Sequence, residues 1–267
     1  MREPFINIAV EAVRSAEHII IRAMKRLDTI QITEKKPNDF VTEVDKRVEQ
    51  EIISVIRKAF PSHSILAEES GETGDNEYQW IIDPIDGTRN FIHGFPHFAV
   101  SIALAHKNRI EHGVIYDPVR QELFTASRGK GAQLNNCRIR VAQRKMLDEC
   151  LLGTGFAYRH QDKDSLIPEN LLRAILPICG DVRRAGAATL DLAYVACGRL
   201  DGFWEMGLKI WDMAAGVLLI KEAGGLVCDL AGGDDYLKTG HVVAANAMVL
   251  RQLLKTLKPQ VAAKTDK

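Results

Sequence analysis

Two aspartates lie three residues apart in the segment 81–88, whose sequence is Ile-Ile-Asp-Pro-Ile-Asp-Gly-Thr. The mostly apolar residues at 78–82 predict a buried strand, and Pro84 should end it because proline has no N–H for a β-ladder. A helix that begins at the Gly-Thr pair would present unpaired backbone N–H groups beside Asp83 and Asp86. Carboxylates suit hard cations and helix-start amides suit phosphate, so the segment predicts a metal-dependent phosphatase.

Further carboxylates occur where predicted helices and strands begin or end. Glu68 follows the apolar run 64–67, and Asp212 opens a segment of small residues. Asp45 stands at the entrance to a predicted helix. Each of these acids alone is compatible with a helix cap or a solvated loop charge. Asp83 differs from them, because an unpaired charge between an apolar strand and a proline would be unfavourable.

Hydrophobic periodicity indicates the elements that must position these acids. Helical spacing predicts a long amphipathic helix at about 4–26 and a second helix that ends before Pro61. Short apolar runs within 98–126 predict an antiparallel meander. The chain is expected to divide near residue 144, after which helices and strands alternate, and the tail from about 259 is expected to be disordered.

Composition excludes several classes of protein. Hydrophobic residues make up 46% and charged residues 26% of the 267 residues, as in ordinary soluble globular proteins. Lys+Arg and Asp+Glu balance at 35 each, so no net positive field indicates direct binding to nucleic acid or to an anionic membrane. No apolar run reaches the roughly 18 residues of a membrane span. The five cysteines are widely spaced, which favours reduced thiols and predicts a cytoplasmic location.

Two motifs far apart in the chain make it resemble a known family. The motifs D-P-I-D-G-T at 83–88 and W-D-M-A-A-G at 211–216 occur together with Glu-Glu-Ser at 68–70. With them the chain resembles the inositol monophosphatase family over nearly its whole length, most closely the bacterial SuhB-like branch. The resemblance implies an α/β (α+β) fold, a layered α/β/α/β/α sandwich. Its N-terminal half would span 1–144 and its C-terminal half 145–267.

The same resemblance implies Mg²⁺-dependent, lithium-sensitive hydrolysis of myo-inositol monophosphate by a homodimer, without a covalent phosphoenzyme. It assigns two to three Mg²⁺ ions to each site. The first would be held by Glu68, Asp83 and the carbonyl of Ile85, and the second by Asp83, Asp86 and Asp212. A third, weaker ion would contact Glu68. These oxygen donors agree with the ligand preference of Mg²⁺.

The resemblance also implies roles in catalysis and substrate binding. The Thr88 hydroxyl and Asp45 would orient and deprotonate the attacking water, and Glu68 would share in catalysis through the metal. The amides of Gly87 and Thr88 would bind a phosphate oxygen, and Glu205 would bind an inositol hydroxyl. The remaining substrate contacts would come from Asp86, Asp212, Gly186, Ala187 and Ala188.

Three further features are less decisive. A family lysine near the metal site matches Lys35 or Lys36, and the spacing does not decide between them. His93 and His97 lie four residues apart, but the glycine and the proline between them argue against a helical zinc pair. The segment 127–131 contains two glycines but lacks the spacing of a P-loop, so a turn is predicted there.

Two alternative functions stay open. In SuhB-like proteins an arginine pair matching Arg183 and Arg184 lies on a surface tied to dimerisation and to the transcription machinery. The chain would then be a regulatory protein of ribosomal RNA antitermination that binds RNA polymerase and NusA, with phosphatase activity secondary. The other alternative is a phosphatase of the same superfamily that acts on fructose bisphosphate or a nucleotide phosphate, which the setting of Glu205 disfavours.

Overall fold

The fold stacks helices and two β-sheets in five layers. The computed structural model describes residues 4–36, 39–156 and 167–262. Its helices are α1 (Pro4–Met24), α2 (Glu43–Ala59), α3 (Thr88–Ile92), α4 (Ile167–Ile175), α5 (Ala188–Ala196), α6 (Ile210–Glu222), α7 (Tyr236–Thr239) and α8 (Ala247–Ala262), with 3₁₀ turns at Leu27–Thr29 and Leu147–Glu149.

The described strands form a hairpin and two sheets. The hairpin consists of β1 (Ile32–Lys36) and β2 (Asp39–Thr42). The larger sheet contains β3 (Ser64–Ala67), β4 (Gly71–Thr73), β5 (Tyr78–Asp86), β6 (Ala99–His106), β7 (Arg109–Asp117), β8 (Glu122–Ser127), β9 (Gly131–Leu134) and β10 (Cys137–Arg138), in the order β10-β9-β8-β7-β6-β5-β3-β4. The smaller sheet contains β11 (Leu151–Thr154), β12 (Asp181–Arg183), β13 (Gly202–Glu205), β14 (Leu226–Cys228) and β15 (Val242–Ala245), in the order β12-β11-β13-β15-β14.

Three hydrophobic cores separate the five layers. The first lies between α1, α2 and one face of the larger sheet, and the second joins the other face to α5, α6 and the smaller sheet. The third lies between the smaller sheet and helices α4 and α8. Strand β6 serves two cores because successive side chains point to opposite faces. Its Val100, Ile102 and Leu104 belong to the first core, and Ala99 and Ala103 belong to the second. The predicted α/β/α/β/α sandwich is confirmed.

Small residues let α6 approach its neighbours closely. A Cβ on Gly113 of β7 would lie 3.0 Å from the Cα of Ala215 in α6. A Cβ on Gly216 would lie 2.6 Å from the Cβ of Leu192 in α5. Ordinary Cβ contacts are longer than these, so larger residues at the two glycines would push α6 out of its place. The 211–216 motif therefore positions the start of α6 against the larger sheet.

The predicted end of a strand at Pro84 is wrong. Strand β5 continues through Pro84 to Asp86. Its pairing with β6 shifts register between Asp83, opposite Ser101, and Asp86, opposite Ala99. A proline is tolerated at such a bulge because its missing N–H interrupts no regular ladder bond. Asp83 therefore lies within a bulged strand and not at a strand end.

Other parts of the fold also differ from expectation. Helix α8 continues through Pro259 to Ala262, past the predicted start of the disordered tail, and the disorder of the tail stays a prediction. Pro259 removes the hydrogen bond to the carbonyl of Lys255, and only the last turn of α8 follows it. The division near residue 144 falls between β10 and β11 and stays a prediction. Among the described residues, no helix is long and apolar enough to cross a membrane.

Candidate active site

Three aspartates from two elements converge between the larger sheet and α6. Asp83 and Asp86 lie in the bulged part of β5, and Asp212 lies in the first turn of α6. One carboxylate oxygen of each lies within 4.8 Å of the others. Asp83 is 1% exposed and Asp212 6%, while Asp86 is half-buried. Carboxylates this close and this buried repel one another, so the group is suited to a cation.

Hydrogen bonds hold two of these carboxylates in place. Thr189, in the first turn of α5, donates its amide (2.7 Å) and its hydroxyl (2.6 Å) to Oδ2 of Asp86. The Lys209 amide donates to Oδ2 of Asp212 at 2.7 Å, which satisfies an N–H at the start of α6. Capping a helix and offering the other carboxylate oxygen to a ligand are therefore compatible roles for Asp212.

Asp45 is fully buried in the first turn of α2. Its Oδ2 accepts the amide (2.9 Å) and the hydroxyl of Thr42, the helix N-cap, so the two residues form a capping box. Its Oδ1 lies 3.2 Å from the Thr88 hydroxyl, which also lies 3.0 Å from the carbonyl oxygen of Ile85. Burial raises the pKa of Asp45, and hydrogen bonds from Thr42 and Thr88 oppose the rise. Asp45 is therefore a stronger base than an exposed aspartate.

Glu68 follows β3 and lies beside the bulged strand. Its amide donates to the carbonyl of Ile82 at 3.2 Å. The turn after it is fixed by Glu49, a buried residue of α2 that accepts the amides of Glu69 (2.8 Å) and Ser70 (2.9 Å). Glu68 does not belong to the close group of three carboxylates found among the described residues. Its backbone is thus anchored next to that group by two elements, β5 and α2.

The start of α3 lies against the turn that precedes α5. Gly87 has a φ of +88°, and a Cβ there would lie 3.1 Å from the carbonyl oxygen of His97 and 3.2 Å from the Cβ of Ala187. Asn90 donates to the carbonyls of His97 (2.7 Å) and Ala185 (2.9 Å), which ties α3 to that turn. Only glycine satisfies both the left-handed backbone and this close approach. Gly87 and Ala187, both predicted to contact substrate, therefore lie side by side.

Glu205 ends β13 and lies beside the backbone that follows β11. A Cβ on Gly155 would lie 2.1 Å from the Glu205 carboxylate, so that carboxylate can occupy its place only beside a glycine. Burial, and then the charges of Glu205 and Asp86, raise the pKa of Asp191 in α5 well above its ordinary value, while Arg184 opposes the rise. Glu205, the predicted polyol ligand, and Asp86, the predicted metal ligand, thus both act on the buried Asp191, whose neutral form is favoured.

Three residues of this region were not identified from the sequence, namely Glu49, Thr189 and Asp191. Asp191 and Glu49 carried a usable signal, because each is a carboxylate among residues that form the apolar core of its helix. Thr189 carried no such signal. Its contact partner, Asp86, lies 103 positions earlier in the chain, and only the folded structure brings the two together.

The glycine-containing turn at 127–131 and the histidines His93 and His97 have roles outside the carboxylate group. The amides of Gly129 and Gly131 both donate to Glu222 at 2.8 Å, so the turn at 127–131 receives an internal carboxylate. His93 is exposed and His97 is buried, which separates the two environments. Burial, with a contribution from the charge of a nearby arginine, lowers the pKa of His97 to about 4.

Arginines in α3 and at the end of β12 are exposed, whereas Asp83 and Asp212 are buried. Arg89, in the first turn of α3, is exposed, and so are Arg183 and Arg184 at the end of β12. The side chains of Lys35 and Lys36 lie outside the described part of the structure. The described site is therefore dominated by carboxylates, and its chemistry is that of a centre for hard divalent cations.

Comparisons with known proteins agree with one another. A family model described as "Inositol monophosphatase family" matches residues 1–266. A Pseudomonas aeruginosa protein named Nus factor SuhB is 54% identical over 266 residues, which cover 97% of each chain. The crystal structure of extragenic suppressor protein SuhB from Bartonella henselae covers 96% of this chain and 99% of its own, with a TM-score of 0.92 and 42% identity. An inositol monophosphatase structure from an Anabaena (Nostoc) species covers 97% of this chain and 98% of its own, with a TM-score of 0.85 and 40% identity.

Proposed function

The chain belongs to the inositol monophosphatase family, and on that basis we propose that it is a Mg²⁺-dependent phosphatase of myo-inositol monophosphate. The observation that carries this proposal is the group Asp83, Asp86 and Asp212, whose carboxylate oxygens lie within 4.8 Å of one another. All of its donors are oxygens, and two of the three carboxylates are buried, which fits a small hard cation. Hydrolysis of a phosphomonoester is the reaction that such a centre supports best.

Two to three Mg²⁺ ions would share these donors. One would be held by Glu68, Asp83 and the Ile85 carbonyl, and one by Asp83, Asp86 and Asp212, with a weaker one at Glu68. Bound Mg²⁺ would supply charge for the phosphate oxygens and lower the pKa of water. The protein's contribution is to fix the ligands beforehand, as the hydrogen bonds to Asp86 and Asp212 do.

Asp45 and Thr88 would prepare the attacking water. The Asp45 Oδ1 and the Thr88 hydroxyl, 3.2 Å apart, are close enough together for one water to contact both. The raised pKa of Asp45 suits it to accept the proton that the water loses. The proton would go to the Asp45 carboxylate and the water oxygen directly to phosphorus, while the ester P–O bond breaks and the departing alcohol oxygen takes a proton from solvent water, so no phosphoenzyme forms.

The substrate would lie between the starts of α3 and α5. The amides of Gly87 and Thr88 would donate to a phosphate oxygen, since first-turn amides have no acceptor within their own helix. The Glu205 carboxylate would accept a hydroxyl of the polyol, with the turn Gly186–Ala188 contributing backbone contacts. The contact of Gly87 with Ala187 supports this arrangement because it brings the two binding segments together.

The test is phosphate release from a panel of substrates at varied Mg²⁺ concentration. We expect myo-inositol monophosphate to be preferred over fructose bisphosphate and 3′-phosphoadenosine phosphate. Asp86→Asn and Asp212→Asn should each lose more activity than the roughly 10–100-fold that follows loss of an outer-shell partner. Asp75→Asn, which changes an exposed loop residue, is the matched control. Wild-type turnover by both site variants would refute the assignment, and preference for another substrate would select the other superfamily phosphatase.

A second function is favoured by a specific finding, the name Nus factor SuhB of the relative that is 54% identical. The chain would then bind RNA polymerase and NusA in ribosomal RNA antitermination, without contacting nucleic acid itself. Pull-down of polymerase by wild type and by Asp86→Asn tests this role. Equal capture by both would support a role independent of catalysis, and capture by neither would exclude it. The homodimer that the family resemblance implies stays a prediction.

A further inference from the structure

Thr189 places two donors on a single carboxylate oxygen. Its amide and its hydroxyl lie 2.7 Å and 2.6 Å from Oδ2 of Asp86. The residue is fully buried in the first turn of α5, where it cannot reorient freely toward solvent. Asp86 ends a strand of the larger sheet, so this pair of bonds also links that sheet to the helical layer between the sheets.

The two bonds differ in what they depend on. A first-turn amide has no acceptor inside its own helix, so any residue at position 189 except proline could donate the backbone bond. The second bond requires a hydroxyl, which only a few side chains supply. Asp212 illustrates the backbone type, since its Oδ2 accepts the amide of Lys209. Thr189 thus adds a bond that depends on its side chain to the bond from its own amide.

The bonds determine which oxygen of Asp86 can serve a cation. A carboxylate oxygen has two lone-pair directions, and two donors to Oδ2 occupy them. A carboxylate fixed at one oxygen also cannot rotate freely about its last torsion. The other oxygen, Oδ1, is then the natural ligand atom. A single donor would hold the group less firmly and would leave Oδ2 able to compete for the ion.

We propose that Thr189 is a positioning residue whose hydroxyl fixes the Asp86 carboxylate for divalent-cation binding. The inference rests on the proposed function, because it assumes that Asp86 is a Mg²⁺ ligand. Outer-shell hydrogen bonds of this kind set the orientation of ligands, and their loss weakens metal binding by about 10–100-fold. The hydroxyl therefore acts on Mg²⁺ affinity and on the Mg²⁺ dependence of turnover, not on the chemical step at saturating metal.

The experiment measures Mg²⁺ binding to the substrate-free full-length protein by isothermal titration calorimetry. Thr189→Val replaces the hydroxyl with a methyl group and keeps the amide, and Thr189→Ser keeps the hydroxyl. We expect Val to raise the dissociation constant by about 10-fold or more and Ser to preserve it. Thr189→Ala serves the same purpose as Val if circular dichroism shows that Val disturbs the fold.

A matched control separates positioning from general stability. Thr154 is also buried, and its hydroxyl donates to the carbonyl of Trp204 at 2.9 Å, so Thr154→Val removes a comparable bond that involves no carboxylate. We expect it to lower thermal stability and to leave Mg²⁺ affinity unchanged. In turnover assays the Thr189→Val half-saturating Mg²⁺ concentration should rise, while kcat at saturating Mg²⁺ returns to the wild-type value.

The outcomes separate this inference from the proposed function. Equal Mg²⁺ affinity in wild type, Thr189→Val and Thr189→Ala would overturn the role of Thr189 while the magnesium site stood. Affinity as weak in Thr189→Ser as in Thr189→Val would also overturn it, because the hydroxyl would then not be the cause. Failure of the wild type to bind Mg²⁺ would overturn both the metal site and this inference.

Discussion

At the scale of single residues, His97 should make stability depend on pH. Burial, and then the charge of Arg120, lower its pKa from 6.5 to about 4, while the charge of Asp117 opposes the shift. Between these values the unfolded chain binds a proton that the native ring does not, so stability falls as pH decreases. From pH 7 to pH 5 wild type should lose about 2 kcal/mol more than His97→Phe, measured by urea unfolding. Equal losses in both proteins would show that the ring is not held neutral.

Residues of the site differ in how far their local sequence could identify them. Asp83 and Asp86 are recognisable because they share a short segment with the turn chemistry that follows them. The sequence could not decide whether Asp45 caps a helix or belongs to the site, and in the structure it does both. One carboxylate oxygen closes the capping box with Thr42, and the other contacts the Thr88 hydroxyl. Thr189 could not be identified, since a threonine in a helix is ordinary until the folded chain brings Asp86 against it.

At the scale of elements, long periodic segments could be predicted and short irregular ones could not. Helices α1 and α2 end at Met24 and Ala59, each within two residues of its predicted end. An amphipathic pattern over several turns is unambiguous. The three-residue strand β12 has an exposed, charged sequence, and only its pairing with β11 makes it a strand. The strands β1 and β2 likewise form in a polar stretch, because they pair with each other as a hairpin. In each case pairing across the structure overrides local preference.

Strand β5 shows how an element can violate a local rule at a candidate functional site. Pro84 should end a strand, but the register shift beside it lets the strand continue to Asp86. A bulge redirects side chains that regular alternation would send to opposite faces. That change is what allows Asp83 and Asp86, three positions apart, to bring carboxylate oxygens into one group. The wrong prediction therefore fell on the feature that builds the site.

At the scale of the whole molecule, the layer order explains why distant segments meet. Helix α6 lies in the middle layer and packs against the larger sheet through small residues such as Ala215, which faces Gly113. This contact brings Asp212 to the bulge of β5. Local periodicity contains no information on which layers become neighbours, so the order could be predicted only through the resemblance of whole motifs.

Because the carboxylates come from β5 and α6, Mg²⁺ should stabilise the whole fold. A ligand that binds only the native state adds about 1.4 kcal/mol at ten times its dissociation constant. For a chain of 267 residues, whose unfolding entropy is about 0.56 kcal/mol/K, that corresponds to a rise in Tm of about 2–3 °C. Differential scanning calorimetry of EDTA-treated protein, with and without Mg²⁺, should show this rise in wild type and in Asp75→Asn. Asp212→Asn should show a smaller rise, because the ion shared by Asp83, Asp86 and Asp212 would lose its ligand from α6. An undiminished rise in Asp212→Asn would mean that Mg²⁺ stabilises the protein from another site.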